Sequence, residues 1–421
     1  MNVNEDSNTN LTNARKPRVL VVVNVFRPDL GGGVLFADLC DGLAERGFDV
    51  SVRCAYPYYP QWTDVSGQNG WRIRREYHGK LNVERFGIYI PSNPNSFLQR
   101  LVYEASFFLS LARKPVRKGE FDAMMVFCPL VGAVAYAGWN ARRSNTPLWL
   151  NVQDLSAQAA AAGGIGGPTQ LLVRVQNALF RKANLWSTIS APMIEALRQI
   201  PNPAKNIELV PNWMHASLAE HLASPTPRSA VPPSRPVRLL YSGNIGGKQN
   251  LLEFCKWLSQ SNAFFEMRIQ GAGGRAEEVR SWISQSGDNR FSMGNLTDEA
   301  GLAEKLGWAD AYVITEKPGA GSSFVPSKLI PGMTSGAPIL AICDAAGPLG
   351  QEVAENGLGY LASWNEAETL DRFFSVVRND PETYESWSHA AISRGAFYHR
   401  DRGIDRCVAV LQQLMGASST D

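Results

Sequence analysis

Four glycine-bearing turns stand where an apolar run gives way to a helical pattern: GGG at 31–33, SGNIGGK at 242–248, GAGG at 271–274 and GAGSS at 319–323. At a helix N-terminus the first backbone N–H groups lack intrahelical acceptors and the helix dipole is positive, a combination that suits phosphate. Glycine, having no Cβ, lets that backbone approach an anion closely. Two of the turns also carry a cation. Lys248 follows Gly243, Asn244, Gly246 and Gly247, and Lys328 follows Ser323, Phe324 and Ser327. An ammonium beside bare N–H donors is a common way to hold a diphosphate. Each turn alone reads equally well as a tight strand-to-helix connection, and each lysine as a solvated one. Their recurrence, always after a strand pattern, points to one anionic ligand. Neither half has a complete GxGxxG with a downstream ribose-binding acid, and GAGGRAEEV does not form a P-loop, which disfavours an NAD-dependent dehydrogenase. A fifth candidate is Asp154 in LNVQDL, just after an apolar run. A carboxylate there could orient a hydroxyl or act as a base, and Asp is equally at home as a helix N-cap.

These residues must be positioned by strands and helices, and the apolar pattern supplies both. RVLVVVNVF (18–26) reads as a strand buried on both faces; Phe36, Leu39, Cys40 and Leu43 then recur at helical spacing, and DVSVRCAY (49–56) is the next strand. Further strands are expected near 83–90, 122–127, 147–152, 185–190 and 207–212. From Ala216 to Pro236 the periodicity fails and proline accumulates in SPTPRSAVPPSRP, which reads as a linker. The alternation resumes with strands expected at 237–242, 265–270, 310–315 and 338–342, and helices at 248–259, 275–285, 298–306 and 327–335. Lys248 would then lie in the first turn of a helix, and Pro326-Ser327-Lys328 would start another. The expected architecture is α/β: two doubly wound domains facing a central cleft, with ligands beyond the carboxyl ends of the strands. The expected division is a disordered lead over 1–16, an N-terminal domain over 17–215, the linker over 216–236, a C-terminal domain over 237–400, and a last helix and tail over 401–421 packing back on the N-terminal domain.

Composition narrows the function. The 421 residues are 44% hydrophobic and 19% charged, enough for two or three domains. A net charge of +2 gives no global attraction for nucleic acid. The six cysteines form no CxxC pair, and with five histidines there is no zinc-type cluster, so no metal or cofactor is expected. Scattered cysteines in apolar runs read as inert core residues of a reducing, cytoplasmic compartment. The lead MNVNEDSNTNLTNARKP lacks the apolar region of a signal peptide. The uncharged stretch 123–139 approaches the length of a membrane span, but Pro129 and Gly132 divide it into a strand, a turn and a helix start.

One segment points to a membrane surface. In 96–119, Leu98, Leu101, Val102, Ala105, Phe108, Leu109 and Ala112 share a helical face, Phe97, Phe107 and Leu111 widen it, and Arg113, Lys114, Arg117 and Lys118 close it. Such a helix could lie on an anionic bilayer. It also reads as a core helix with a basic C-terminus.

The stretches PDLGGGVLFADLCDGLAERGFDVSV, PYYPQW, NVQDL, STISAPMIEAL, VPNW, YSGNIGGKQNL, QGAGG and VPSKL occur in this order between about residues 18 and 345. Together they resemble the GT-B glycosyltransferases of family 4 and, within it, the colanic-acid fucosyltransferase branch. The resemblance implies retaining transfer of a sugar from a nucleotide diphosphate donor without a metal. It implies that Lys248 contacts the diphosphate, that Gly271 and Gly273 line the nucleoside pocket, and that Gly31 and Gly32 approach the diphosphate from the other domain. The segment through Ser323, Phe324, Ser327 and Lys328 would hold donor phosphates or ribose. Asp154 and Lys248 are the candidate catalytic residues, Lys248 by stabilising charge on the leaving diphosphate. The implied acceptor is a polyprenyl-diphosphate-linked saccharide at the cytoplasmic membrane face. The chain departs from the family in three places. Asn244 stands where an Arg is frequent, Gln153 replaces a common His, and Ser323 and Pro331 stand where many members carry paired glutamates, with Glu316 out of register. These departures keep two alternatives in view: a non-catalytic nucleotide-sugar-binding or scaffold protein, and a GT-B-like epimerase, for which acidic and histidine residues are too few.

Overall fold

The computed structural model describes residues 15–94, 96–154, 168–222, 224–319, 327–364 and 367–417. The lead expected over 1–16 falls mostly outside them. The first sheet has eight strands: β1 (Arg18–Val22), β2 (Asp49–Ala55), β3 (Arg74–His78), β4 (Leu81–Phe86), β5 (Ala123–Cys128), β6 (Leu148–Val152), β7 (Leu185–Thr188) and β8 (Ile207–Leu209). Their order is β3-β4-β2-β1-β5-β6-β7-β8. β1 runs parallel to β2 and β5, and β2 to β4. Such strands are covered on both faces and read as continuous apolar runs, which is why β1, β5 and β6 were visible in the sequence. β3 was not. It is an antiparallel edge strand of sequence RREYH, whose charges protect the edge and hide the strand from any apolar pattern.

The second sheet holds β9 (Val237–Asn244), β10 (Phe265–Ala272), β11 (Phe291–Gly294), β12 (Ala311–Thr315), β13 (Ile339–Ile342) and β14 (Gly359–Ala362). The order is β11-β10-β9-β12-β13-β14, with parallel pairing throughout. This is the doubly wound order whose direction reverses between β9 and β12, the position where such sheets bind ligands. Alternate residues of one strand feed the two covering layers: Leu239 and Tyr241 pack into one cluster with Met267, Ile269 and Val313, while Leu240 packs into the other with Tyr312 and Ile314. β11 and β14 are short edge strands that the apolar pattern did not reveal.

The stretch read as a linker is fastened to this second sheet. Arg228 donates to the carbonyls of Leu306 (2.9 Å) and Ser335 (3.4 Å), the Val231 amide to Val377 O (3.0 Å), and Arg235 pairs with Asp310 at 2.6 Å. Its prolines interrupt secondary structure without freeing the chain. The stretch 123–139 forms β5 and the start of the helix Val131–Ser144, and no helix of the described residues is long and apolar enough to cross a membrane. All six cysteines are buried thiols.

Candidate functional site

The turn after β9 is built around glycine. Gly243 has φ 124° and Gly273, after β10, φ 142°, both in a region that side chains rarely adopt. The two turns touch. A Cβ on Gly273 would lie 2.5 Å from Asn244 Oδ1 and from Ile245 O, and one on Gly271 would lie 2.5 Å from Ile245 Cδ1 and 2.8 Å from Gly243 O. The Ile245 amide donates to Ala272 O (2.8 Å) and the Arg275 amide to Ile245 O (3.0 Å), which locks the turns together. Asn244 is exposed at the rim.

Lys248 does not start a helix. The helix begins at Leu251 behind Asn250, which has φ 52°, and Lys248 is an exposed residue of the preceding turn. The end of β12 holds this turn in place: Thr315 Oγ1 donates to Gln249 O (2.6 Å) and the Lys317 amide to Lys248 O (2.7 Å).

Lys328 differs from its sequence reading in a second way. The helix after it, Leu329–Thr334, has six residues, and the ammonium turns away from it toward β9. Nζ donates to Tyr241 Oη (2.6 Å) and Asn244 O (3.0 Å), and it lies 4.2 Å from the centre of the Tyr241 ring. Burial pushes its pKa down to about 7, with Glu316 opposing. The expected second helix-terminus anion trap is therefore a mostly buried cation that braces the Gly243–Asn244 turn.

Glu316, set aside as out of register, is the acidic member of this cluster. Its amide donates to Ile342 O (2.9 Å) and its carbonyl accepts from Trp364 Nε1 (2.7 Å), so its backbone is pinned at the end of β12. Burial, with Asp344 adding to it, raises its pKa to about 7, while Lys248 and Lys328 pull it down. Asp344 Oδ2 accepts from the Gly319 amide (2.7 Å). The signal available in the sequence was a carboxylate directly after a short apolar strand, in AYVITE. The structure thus brings together Gly243, Asn244, Lys248, Gly271, Gly273 and Lys328, and it adds Glu316, Asp344 and Tyr241. Ser323 and Phe324 lie outside the described residues; Ser327 is exposed beside Lys328.

In the first sheet, Gly31 caps the helix Gly32–Glu45 with φ 63°. Gly32 is under no such demand, since a Cβ there would meet only the Phe36 ring and Val25 at ordinary contact distance. Asp29, absent from the sequence candidates, organises this turn: its Oδ1 accepts from the amides of Tyr58 (3.0 Å) and Tyr59 (2.9 Å). Burial raises its pKa against those hydrogen bonds. Asp154 lies past the end of β6, and its carbonyl accepts from Cys128 Sγ at 3.6 Å. Among the described residues its Oδ1 is buried without a hydrogen-bond partner. The reading of Asp154 as an N-cap concerns residues outside them. Neighbouring Gln153 and Asn151 form a chain, Asn212 Nδ2 to Gln153 Oε1 (2.9 Å) and Gln153 Nε2 to Asn151 Oδ1 (2.6 Å), that fixes the strand end. A buried carboxylate oxygen without a donor is costly unless a ligand completes it. Asp154→Asn is therefore expected to lower kcat about a hundredfold with donor affinity nearly unchanged. Initial rates and donor titration on the same preparation check this, and full activity would leave Asp154 a structural residue.

Residues 31–213 match the glycosyl transferase 4-like domain. Over 378 residues, 86% of this chain and 91% of the relative, the sequence is 27% identical to WcaI of Escherichia coli (strain K12), a protein assigned as a colanic acid biosynthesis glycosyl transferase. Among solved structures, the chain superposes on sucrose-phosphate synthase from Thermosynechococcus elongatus with TM-score 0.71 at 15% identity, covering 96% of this chain and 100% of that one. It superposes on Anabaena HepE in complex with UDP and glucose with TM-score 0.66 at 14% identity, covering 94% and 100%. WaaG, a glycosyltransferase involved in lipopolysaccharide biosynthesis, gives TM-score 0.62 at 13% identity, covering 93% and 99%. The resemblance read from the sequence and the α/β fold with two parallel-sheet domains are both borne out.

Proposed function

Taking the chain as a glycosyltransferase of GT-B fold with a family 4-like domain, we propose that it moves a sugar from a UDP- or GDP-sugar, with retention and without a metal. The acceptor is a saccharide, in particular a polyprenyl-diphosphate-linked one, in extracellular polysaccharide assembly at the cytoplasmic face of the membrane. The observation that carries this reading is the cluster of Lys248, Lys328 and Glu316 at the reversal point of the second sheet, beside two glycine turns. A diphosphate laid over Gly243 and Asn244 meets two cations and a backbone that Gly271 and Gly273 keep open. Ser327, with Ser323 and Phe324, completes the donor side. Residues 237–400 take the donor and residues 17–215 the acceptor, with Gly31 and Gly32 contributing to the diphosphate and the segment 401–421 returning to the N-terminal half. HepE, solved with UDP and with UDP-glucose, and WcaI, with its assignment to colanic acid, support the donor class and the pathway class.

As the bond to the leaving diphosphate breaks, negative charge grows on its oxygens. Fixed cations stabilise that charge more in a site from which water is excluded than in bulk water. Glu316 controls how much positive potential the two lysines present. Asp154 orients or deprotonates the acceptor hydroxyl.

Isothermal titration with UDP, GDP, ADP and TDP, first without metal and then with magnesium, tests the reading. Selective binding of UDP or GDP without metal is the expected result, and Lys248→Ala should weaken it about tenfold, as befits one exposed cation. Binding of none of the four would overturn the donor assignment. Binding without donor hydrolysis or transfer would favour the non-catalytic nucleotide-sugar binder.

A further inference from the structure

The donor site leaves the motif PYYPQW (57–62) unexplained, and the structure builds this loop into the carboxyl end of the first sheet. Tyr58 is fully buried. The two N–H groups of Asn24 Nδ2, just past β1, donate to the hydroxyls of Tyr58 (2.7 Å) and Tyr103. Those hydroxyls lie 2.6 Å apart and share a further hydrogen bond. From the other side Asp29 Oδ1 holds the amides of Tyr58 and Tyr59, and Tyr59 Cε1 stands 3.4 Å from where a Cβ on Gly31 would be. Segments distant in the chain thus clamp the loop beside the Gly31 turn.

The helix Phe97–Ala112 supplies the rest. It turns Tyr103, Phe107, Ser110 and Leu111 inward and leaves Leu98, Leu101, Val102 and Leu109 half or more exposed, so the stripe that also read as core is its outer face. Trp62 ends the loop with φ 53°, a left-handed conformation that a bulky residue adopts only where its surroundings enforce it. Its ring is only partly buried, with ring centres of Tyr58 at 5.6 Å, Tyr103 at 5.9 Å and Tyr59 at 6.0 Å. The Arg100 guanidinium lies over Trp62 (5.6 Å) and Tyr103 (5.3 Å). Among the described residues its N–H groups have neither a hydrogen-bond acceptor nor a carboxylate within ion-pair distance. Glu104, the one acid of the helix, instead accepts the Gly132 amide at 2.8 Å.

We propose that Tyr59, Trp62 and Arg100 form an acceptor subsite that selects a saccharide carrying a negative charge, the rings taking the sugar and the guanidinium its anionic group. Aromatic rings offer an apolar body against which the C–H face of a sugar packs. A guanidinium held against rings keeps its planar fork of donors free for two oxygens of one anion. The buried hydroxyl cluster and Asp29 fix the loop in advance, so little ordering remains to be done on binding. A phosphate at the reducing end and the carboxylate of a uronic acid both present the required pair of oxygens. The inference deepens the acceptor part of the reading above and rests on it, but it does not depend on which nucleotide is bound.

The test is isothermal titration of the full chain with glucose, glucose 1-phosphate and glucuronic acid, in the presence of saturating UDP or GDP so that the donor site is filled. The wild type should bind at least one charged sugar about tenfold more tightly than glucose. The charged sugar that binds more tightly distinguishes a phosphate from a carboxylate. Arg100→Gln should erase the preference and leave glucose binding unchanged, Arg100→Lys should restore part of it, and Trp62→Ala should weaken all three sugars about tenfold. Thermal melts and nucleotide titration verify that each variant is folded; the arginine variants keep the proposal testable if Trp62→Ala unfolds the loop. Equal affinity for charged and uncharged sugars overturns the proposal, as does a preference that survives Arg100→Gln or binding of none of the three. Charge-selective sugar binding by a chain that binds neither UDP nor GDP would instead count against the donor reading alone.

Discussion

Replacing Lys328 by methionine is expected to weaken nucleotide-sugar binding about a hundredfold and to flatten its pH dependence. Lys328 is mostly buried, donates to Tyr241 Oη and Asn244 O, and has its pKa pushed down to about 7 by burial. Glu316 beside it is pushed up to about 7. The signs then work together. Below about pH 7 the lysine is charged and the glutamate neutral, so the pair carries net positive charge. As pH rises through 7 the pair loses protons, and whichever group holds the last one, the pair moves through neutral toward negative. Both changes reduce attraction for a diphosphate, so wild-type affinity should fall by about tenfold per pH unit above 7. A nucleotide-sugar is the ligand to use, because its diphosphate does not itself titrate in this range. Methionine keeps the aliphatic stem and removes a desolvated charge, so the variant should remain folded. Titration at pH 6, 7 and 8 (about one unit apart, to resolve that slope) checks it. Unchanged affinity with the same slope would remove Lys328 from the donor site.

Gly273→Ala should abolish detectable donor binding, while Gly274→Ala should leave it intact. At Gly273 φ is 142° and a Cβ would sit 2.5 Å from Asn244 Oδ1 and Ile245 O, so backbone of the β9 turn must move. At Gly274 a Cβ meets nothing within 4 Å. Forcing a side chain into such a conformation costs about 1–3 kcal/mol, and here the displaced atoms belong to the turn that faces the ligand. Two readouts separate the effects: a thermal melt reports the strain, and nucleotide titration reports the turn. Equal titration curves for the two variants would show that the approach of the β9 and β10 turns does not shape the donor site.

Both predictions rest on glycine and lysine positions that the sequence had marked, but for reasons that the structure changed. The turns 242–248 and 271–274 were legible because a run such as Leu239-Leu240-Tyr241, followed by glycines, has few alternatives to a buried strand and a tight turn. The edge strands β3, β11 and β14 were not legible. RREYH carries charge to protect an edge, and FSMG and GYLA are too short for their alternation to register. Lys248 and Lys328 were expected in first helical turns. One proved to be a loop residue clamped by β12, and the other a buried brace reaching across to β9.

The apolar periodicity by itself determined the central parallel strands of both sheets, the carboxyl-end placement of the glycine turns, and the amphipathic pattern of 97–112, because all three depend on local spacing. Only the tertiary structure decided that Glu316 stands with Lys248 and Lys328, that the pKa values of Glu316 and Lys328 converge near 7, and that the apolar face of 97–112 looks outward. Those outcomes depend on burial and on contacts between residues distant in the chain. The same helical stripe can face a core or solvent, and the side chains that pack beneath it settle which.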